Sequence, residues 1–181
     1  MSYKENLRER RAVTNECYLC FNNLVKPRKC YDKEKYSTLI AFPSTDESTH
    51  AKIIAAMRAA FEQAHEKLCE NGAELRFEDA LTPLKKDCEN FDGMYLMNVM
   101  TTEKPRLVDS QLKNLKLKTE PAFGSTGRVA VLFCCTKIDG QARIYGVLQN
   151  TMIISNKNHL ENTVDFSAEE DFGEFLAREN S

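Results

Sequence analysis

The sequence predicts a mainly β fold: a small, largely antiparallel barrel of five or six strands, one capping α-helix and an acidic C-terminal tail. Three observations carry this reading. Short aromatic and aliphatic runs bounded by Pro, Gly and Asp recur along most of the 181 residues. One long amphipathic helix interrupts them. The last two apolar runs are joined by Asp139-Gly140, a strong hairpin signal.

Residues 1–15 are charged throughout and read as a frayed N-terminal arm. "ECYLCFNNLVKP" reads as a first strand ended by Pro27, which lacks a ladder donor. "RKCYDKEK" is a basic turn, and "KYSTLIAFP" a second strand closed by Pro43. The helix is expected over about 44–70. Ser44 with Glu47 matches a capping box, with Asp46 as the alternative cap. Ile53, Met57, Ala60, Phe61, Ala64 and Leu68 recur at helical spacing, and Gly72 suits the stop.

Residues 73–93 lack periodicity and read as a long excursion, functional or partly structured. "MYLMNVMT" is a strand. Pro105 keeps "EKPRLVD" from being a central, fully paired strand. "QLKNLKLKTEPAFG" is a basic connector, "GRVAVLFCCTKI" a buried strand and "ARIYGVLQNTMII" its hairpin partner. Gly146, in mid-strand, marks a bulge or a tight barrel bend. The sum points to an OB-type barrel over residues 16–160. A helix-packed open sheet is the alternative.

Composition narrows the class. The chain is 42% hydrophobic and 29% charged, ordinary for a globular domain. It has no run of about 18 apolar residues, and its first residues lack an apolar signal region, so a cytoplasmic protein is expected. Seven cysteines, an odd number without regular spacing, read as reduced thiols. Cys17 and Cys20, with Cys30 nearby, invite a zinc reading. A second ligand pair is missing, and on one strand an odd separation points the two thiols to opposite faces.

Charge is unevenly spread. Residues 161–181 hold seven acids and one base, a net −6, against a net +4 for the rest. A basic body with an acidic tail is expected of a protein that meets polyanions.

No Walker loop, GxGxxG or GxSxG occurs, and the three histidines suggest no general base. No enzyme, metal or cofactor is expected. Asp87, Glu89 and Asp92 read as loop surface rather than a metal site. What remains is a binding inventory. "KPRKCYDKEKY" interleaves Lys26, Arg28, Lys29, Lys35 and Lys33 with Tyr31 and Tyr36. A second basic set runs through Lys104, Arg106, Lys113, Lys116 and Lys118, and Arg128 and Arg143 lie on the closing hairpin. Single-stranded nucleic acid requires both residue types: cations for phosphates, aromatic faces for bases. The competing reading makes the lysines solvated surface and the tyrosines core.

The blocks "LCFNNLVKP", "EKYSTLIAFPSTDESTHAKIIAAMRAA", "TPLKKD", "GMYLMNVMTTEKPRLVD", "GRVAVLFC", "YGVLQNTMII" and "SAEEDF" resemble, in order and spacing, the single-stranded DNA-binding proteins of tailed bacteriophages and prophages, from about residue 17 to 175. The resemblance implies an OB fold and a protein that coats single-stranded DNA in replication or recombination. The chain departs from the pattern at "LKKDCENFDG", usually rich in Gly and Asp, and at "FCCTK", where an aromatic is expected. The tail residues Glu169, Glu170, Asp171, Phe172 and Phe175 match the acidic, Phe-bearing ends that dock phage or host replication proteins. Its carboxylates would also compete with DNA for a basic groove. The alternative packs Phe172, Phe175 and Leu176 on the chain's own domain. The other function classes are a protein-interaction barrel that never touches nucleic acid and a metal-dependent nuclease. A homodimer is compatible with either binding reading.

Overall fold

The computed structural model describes residues 2–69 and 74–160. The tail expectations, including those for Phe172 and Phe175, lie outside the described residues, as does Gly72.

In chain order the elements are α1 (Tyr3–Glu9), β1 (Arg11–Val13), β2 (Cys17–Cys30), β3 (Lys33–Pro43) and α2 (Glu47–Leu68). A 3-10 turn (Phe77–Asp79) follows, then β4 (Leu84–Lys86), β5 (Met94–Thr101), β6 (Arg106–Val108), β7 (Ser125–Ile138) and β8 (Gln141–Ser155). Five strands form a closed ring, β7-β2-β3-β5-β8 and back to β7. The ring excludes the open-sheet alternative and leaves few free edges. One seam departs from the antiparallel expectation: β5 and β8 pair in parallel through Val99↔Gly146 and Met100↔Val147.

Closure follows from how the long strands share their edges. β7 has β8 along one edge; its other edge serves β2 at Ser125–Gly127 and β1 at Ala130–Leu132. β8 likewise splits its second edge between β5 and the parallel satellite β6. β5 gives its second edge to β4 and then to β8. The satellites β1, β4 and β6 raise the strand number to eight, against the five or six expected.

Residues 1–15 are a correction. Ser2 and Glu5 make a reciprocal capping box that starts α1. Arg11–Val13 then pair with β7, and Ala12 enters the core. The charges that suggested a frayed arm are those of a short helix and an edge strand.

Pro27 does not end β2. The ladder to β3 runs Cys20↔Leu39, Asn23↔Ser37 and then Arg28↔Lys35, so Leu24–Pro27 lack strand partners. The Glu120 carboxylate supplies the acceptors instead. Leu24 N–H donates to it at 2.6 Å, Val25 N–H at 3.0 Å and Lys26 N–H at 2.7 Å. Pro27 has no N–H to satisfy. One side chain thus replaces a missing stretch of ladder, and the strand continues to Cys30.

Asp46, not Ser44, caps α2, its carboxylate accepting from Thr49 N–H at 3.0 Å. Ile53, Met57, Ala60, Phe61 and Leu68 are buried and α2 packs mainly on β7. The excursion after α2 is partly structured. Phe77 meets Phe61 edge-on at 5.9 Å, and Leu81 exchanges backbone hydrogen bonds with Ala142 and Ile144. Gly146 carries no bulge; the β7–β8 register shifts near Thr126/Gly127 and Val129/Val131 instead. A Cβ on Gly146 would lie 2.9 Å from the side chains of both Val99 and Val131, so glycine permits the close approach where β8 meets both neighbours. Asp139 (φ 50°) and Gly140 (φ 80°) form the expected tight hairpin turn.

A second, smaller cluster covers the outer face of β2, β3 and β5, where Cys20, Ala41, Leu96 and Leu160 are buried together. Among the described residues no helix is long and apolar enough to cross a membrane.

Candidate nucleic-acid interface

Side chains alternate across a strand, so directly paired residues share a face. One row of paired residues crosses the outside of the barrel: Asn23, Ser37, Met100, Val147, Leu132, Arg11. Shallow depressions lie along it and merge. The first is lined by Arg28, Lys29, Lys35, Ser37, Asn98 and Met100. The next shares Lys35, Asn98 and Met100 and adds Ile138, Arg143 and Tyr145. A third continues over Thr101, Lys104, Arg106, Val147 and Asn150. The last reaches Arg11, Val13, Leu112, Arg128 and Met152. Together they form a belt across the strands.

The belt is cationic. Of the ten residues expected to bind, Arg28, Lys29, Lys35, Lys104, Arg106, Arg128 and Arg143 line it, joined by Arg11; Glu103 is its one acid. None of these eight cations makes an ion pair among the described residues. Of the two ion pairs found there, Arg58–Glu78 ties the excursion to α2 and Arg76–Asp79 lies within the excursion itself. Two of the belt cations make uncharged contacts: Lys35 Nζ lies 3.6 Å from Met100 Sδ, and Arg106 Nε donates to Asn114 at 2.7 Å. Cations that neutralise no carboxylate are available to an external polyanion.

Three expected residues fall outside the belt. The Lys26 side chain is exposed beside the Glu120 clamp. Tyr36 is half-buried on the opposite face of β3 from Lys35. Tyr31 stands at the tip of the β2–β3 hairpin, 93% exposed and at φ 56°. A bulky residue there is strained and unburied, unlike a core tyrosine.

Tyr145, Arg11 and Asn98 were not singled out from the sequence. Tyr145 is 44% exposed in the belt, directly across the ladder from Cys134. Tyr145 thus puts an aromatic on the strand paired with "FCCTK". Arg143, Tyr145 and Val147 alternate along β8, a period-two signal that a reading centred on Gly146 passed over. Burial, then the neighbouring Cys134 thiol, raise the Tyr145 phenol above its ordinary pKa, so the ring stays neutral. Arg11 was hidden by the arm reading.

The CxxC pair divides as its spacing requires. Cys17 lies in the main core and Cys20 in the second cluster. Burial pushes their thiols up to about 12 and about 11, and Cys17 Sγ donates to the Gly127 carbonyl at 3.3 Å. Lying in separate clusters, the two thiols do not face a common site. Among the described residues no three His, Cys, Asp or Glu side chains are placed to hold a metal.

The described chain closes at Leu160, buried against the outer face of β3 and β5. The other end of that face carries Lys35 and Met100.

The family model of the Enterobacter phage Enc34 ssDNA-binding protein matches residues 10–181. Among solved structures, the fold is similar to the Enc34 protein in complex with ssDNA, with TM-score 0.61 and 14% identity over 81% of this chain and 87% of that one. It is also similar to gp2.5, a single-stranded DNA-binding protein encoded by bacteriophage T7, with TM-score 0.63 and 14% identity over 87% and 98%. Comparison with curated proteins finds no match.

Proposed function

The chain belongs to the family of the Enterobacter phage Enc34 ssDNA-binding protein, and on that premise we propose that it coats single-stranded DNA during phage-type replication or recombination. The family is one of binding proteins, not of enzymes. The observation that carries the reading is the belt of eight cations without ion pairs among the described residues, running across the strands of the barrel.

Phosphates of one strand would follow Arg28, Lys29 and Lys35, pass Arg143 and reach Lys104 and Arg106, with Arg128 and Arg11 extending the path. Tyr145 offers a neutral ring on which a base stacks, and Asn98, Ser37 and Asn150 offer polar contacts. Stacking and phosphate contacts carry little sequence information, so binding is expected to be nearly sequence-neutral. Tyr31, exposed at its hairpin tip, would fold over bound DNA.

The acidic tail is proposed to compete with DNA for this belt and, once displaced, to dock phage or host replication proteins through Phe172 and Phe175. The position of Leu160 supports the first part. Along β3, Ala41 and Lys35 are six residues apart, roughly 20 Å of strand, so an extended chain of about seven residues spans the gap. The tail's net −6 faces a body of net +4. Its tethering raises its effective concentration at the belt. The site of action would be the host cytoplasm.

Fluorescence anisotropy with labelled oligo-dT at two salt concentrations tests the reading. Salt-sensitive binding that prefers single strands supports it. Absence of DNA binding would leave the protein-interaction module as the better account.

A further inference from the structure

Phe21 lies outside the belt. It is 65% exposed, on β2 within the irregular stretch between Cys20 and Asn23. Its φ is 48°, in the left-handed region where glycine is at ease and a bulky residue is strained. Strain of this kind persists only where surrounding contacts enforce it. Those contacts are present. The Asn22 side-chain amide donates to the carbonyls of Leu19, Pro121 and Ala122 at 3.2–3.3 Å, and its oxygen accepts from Thr38 Oγ1 at 2.7 Å. The clamp on Asn22 holds Phe21 out in solvent. Phe123 then meets the Phe21 ring edge-on, centroids 5.1 Å apart and planes at 67°, which fixes the ring without covering it.

We propose that Phe21 and Phe123 form a nucleobase-stacking site that continues the path of single-stranded DNA beyond the belt. The inference rests on the ssDNA reading above. Continuity with the belt selects the occupant. The Asn23 amide lies 3.4 Å from the Phe21 carbonyl and 3.3 Å from Ser37 Oγ, and Ser37 lines the belt beside Arg28 and Lys35. Phe21 therefore sits at the level of β3 between Leu39 and Ser37, within about 7 Å of strand from the belt. A strand whose phosphates run past Arg28 and Lys35 brings its next bases to these rings. A projecting, edge-supported ring suits the flat face of a base, whereas a protein anchor residue calls for a pocket.

The test uses the full chain and an oligo-dT series from about four to sixteen nucleotides, the range over which one barrel of this kind is filled. Phe21→Leu keeps apolar bulk and removes the π-face. Phe21→Gly suits the backbone at φ 48° and keeps the fold if leucine does not. Both variants should lose about five- to hundredfold in affinity for the longest oligomers, the range expected for one lost stack. Both should bind the shortest ones like wild type, with an unchanged salt slope. Wild-type and variant curves that coincide at every length remove this site alone. Failure of the wild type to bind dT at any length removes the ssDNA reading and the site together. A photoreactive benzoyl group carried by the residue at position 21 should crosslink to dT at saturation. Crosslinking there only to residues 161–181 or to another protein overturns the proposal.

Discussion

Glu120 gives the sharpest test of how the barrel is built. Replacing it by Ala removes the acceptor for three successive amides, Leu24, Val25 and Lys26, that no strand pairs. A hydrogen bond to a charged group contributes about 1.5–3 kcal/mol, and a buried amide left unpaired adds a desolvation cost. Water replaces the carboxylate at Lys26, which is exposed, and partly at Val25. Leu24 is fully buried and has no such substitute. The net loss is therefore about 2–4 kcal/mol, or about 5–15 °C in melting temperature for a chain of this size. Glu120→Gln, which keeps one oxygen, should lose about half as much. Circular-dichroism melts read the difference, and hydrogen exchange should speed up first at Leu24 and Val25. A Glu120→Ala protein that melts within about 2 °C of wild type would refute the idea that this carboxylate replaces the missing ladder.

Three further outcomes are expected. Removing charge at Lys104 and Arg106 together should flatten the salt slope by about 1.4, two phosphates at about 0.7 each, while exposed positions leave stability within about 0.5 kcal/mol; anisotropy over a salt series checks it. Tyr145→Leu should weaken oligo-dT binding by about five- to hundredfold through one lost stack, with the salt slope unchanged. Deleting residues 165–181 should tighten DNA binding, most at low salt where screening is weakest, and abolish co-purification with a replication partner; a melting temperature lowered by many degrees would instead make Phe172 and Phe175 core.

The sequence was most legible where structure is local. The α2 stripe and the Asp139-Gly140 turn need only their own neighbours, and Pro105 placed β6 at a sheet edge without knowledge of its partner. The arm was misread because Arg11–Val13 become a strand only when β7 lies alongside. Pro27 misled for the same reason: its strand survives through Glu120, more than ninety residues away. The parallel seam of β5 and β8 is likewise a product of ring closure. Among the site residues, seven of ten cations and aromatics proposed from composition line the belt. Tyr36 does not, because counting aromatics cannot say which face of β3 each occupies. Tyr145 was missed although its alternation with Arg143 was readable.

The reading to be tested is that the belt's cations, which make no ion pair among the described residues, bind the phosphates of a single strand. The most direct measurement is the affinity of the full-length protein for oligo-dT and for a duplex of equal length, over a series of salt concentrations. Engagement of between four and eight belt cations predicts a slope of log K against log salt between about −3 and −6, with the single strand preferred. A slope near zero, or equal affinity for the duplex, would contradict the account.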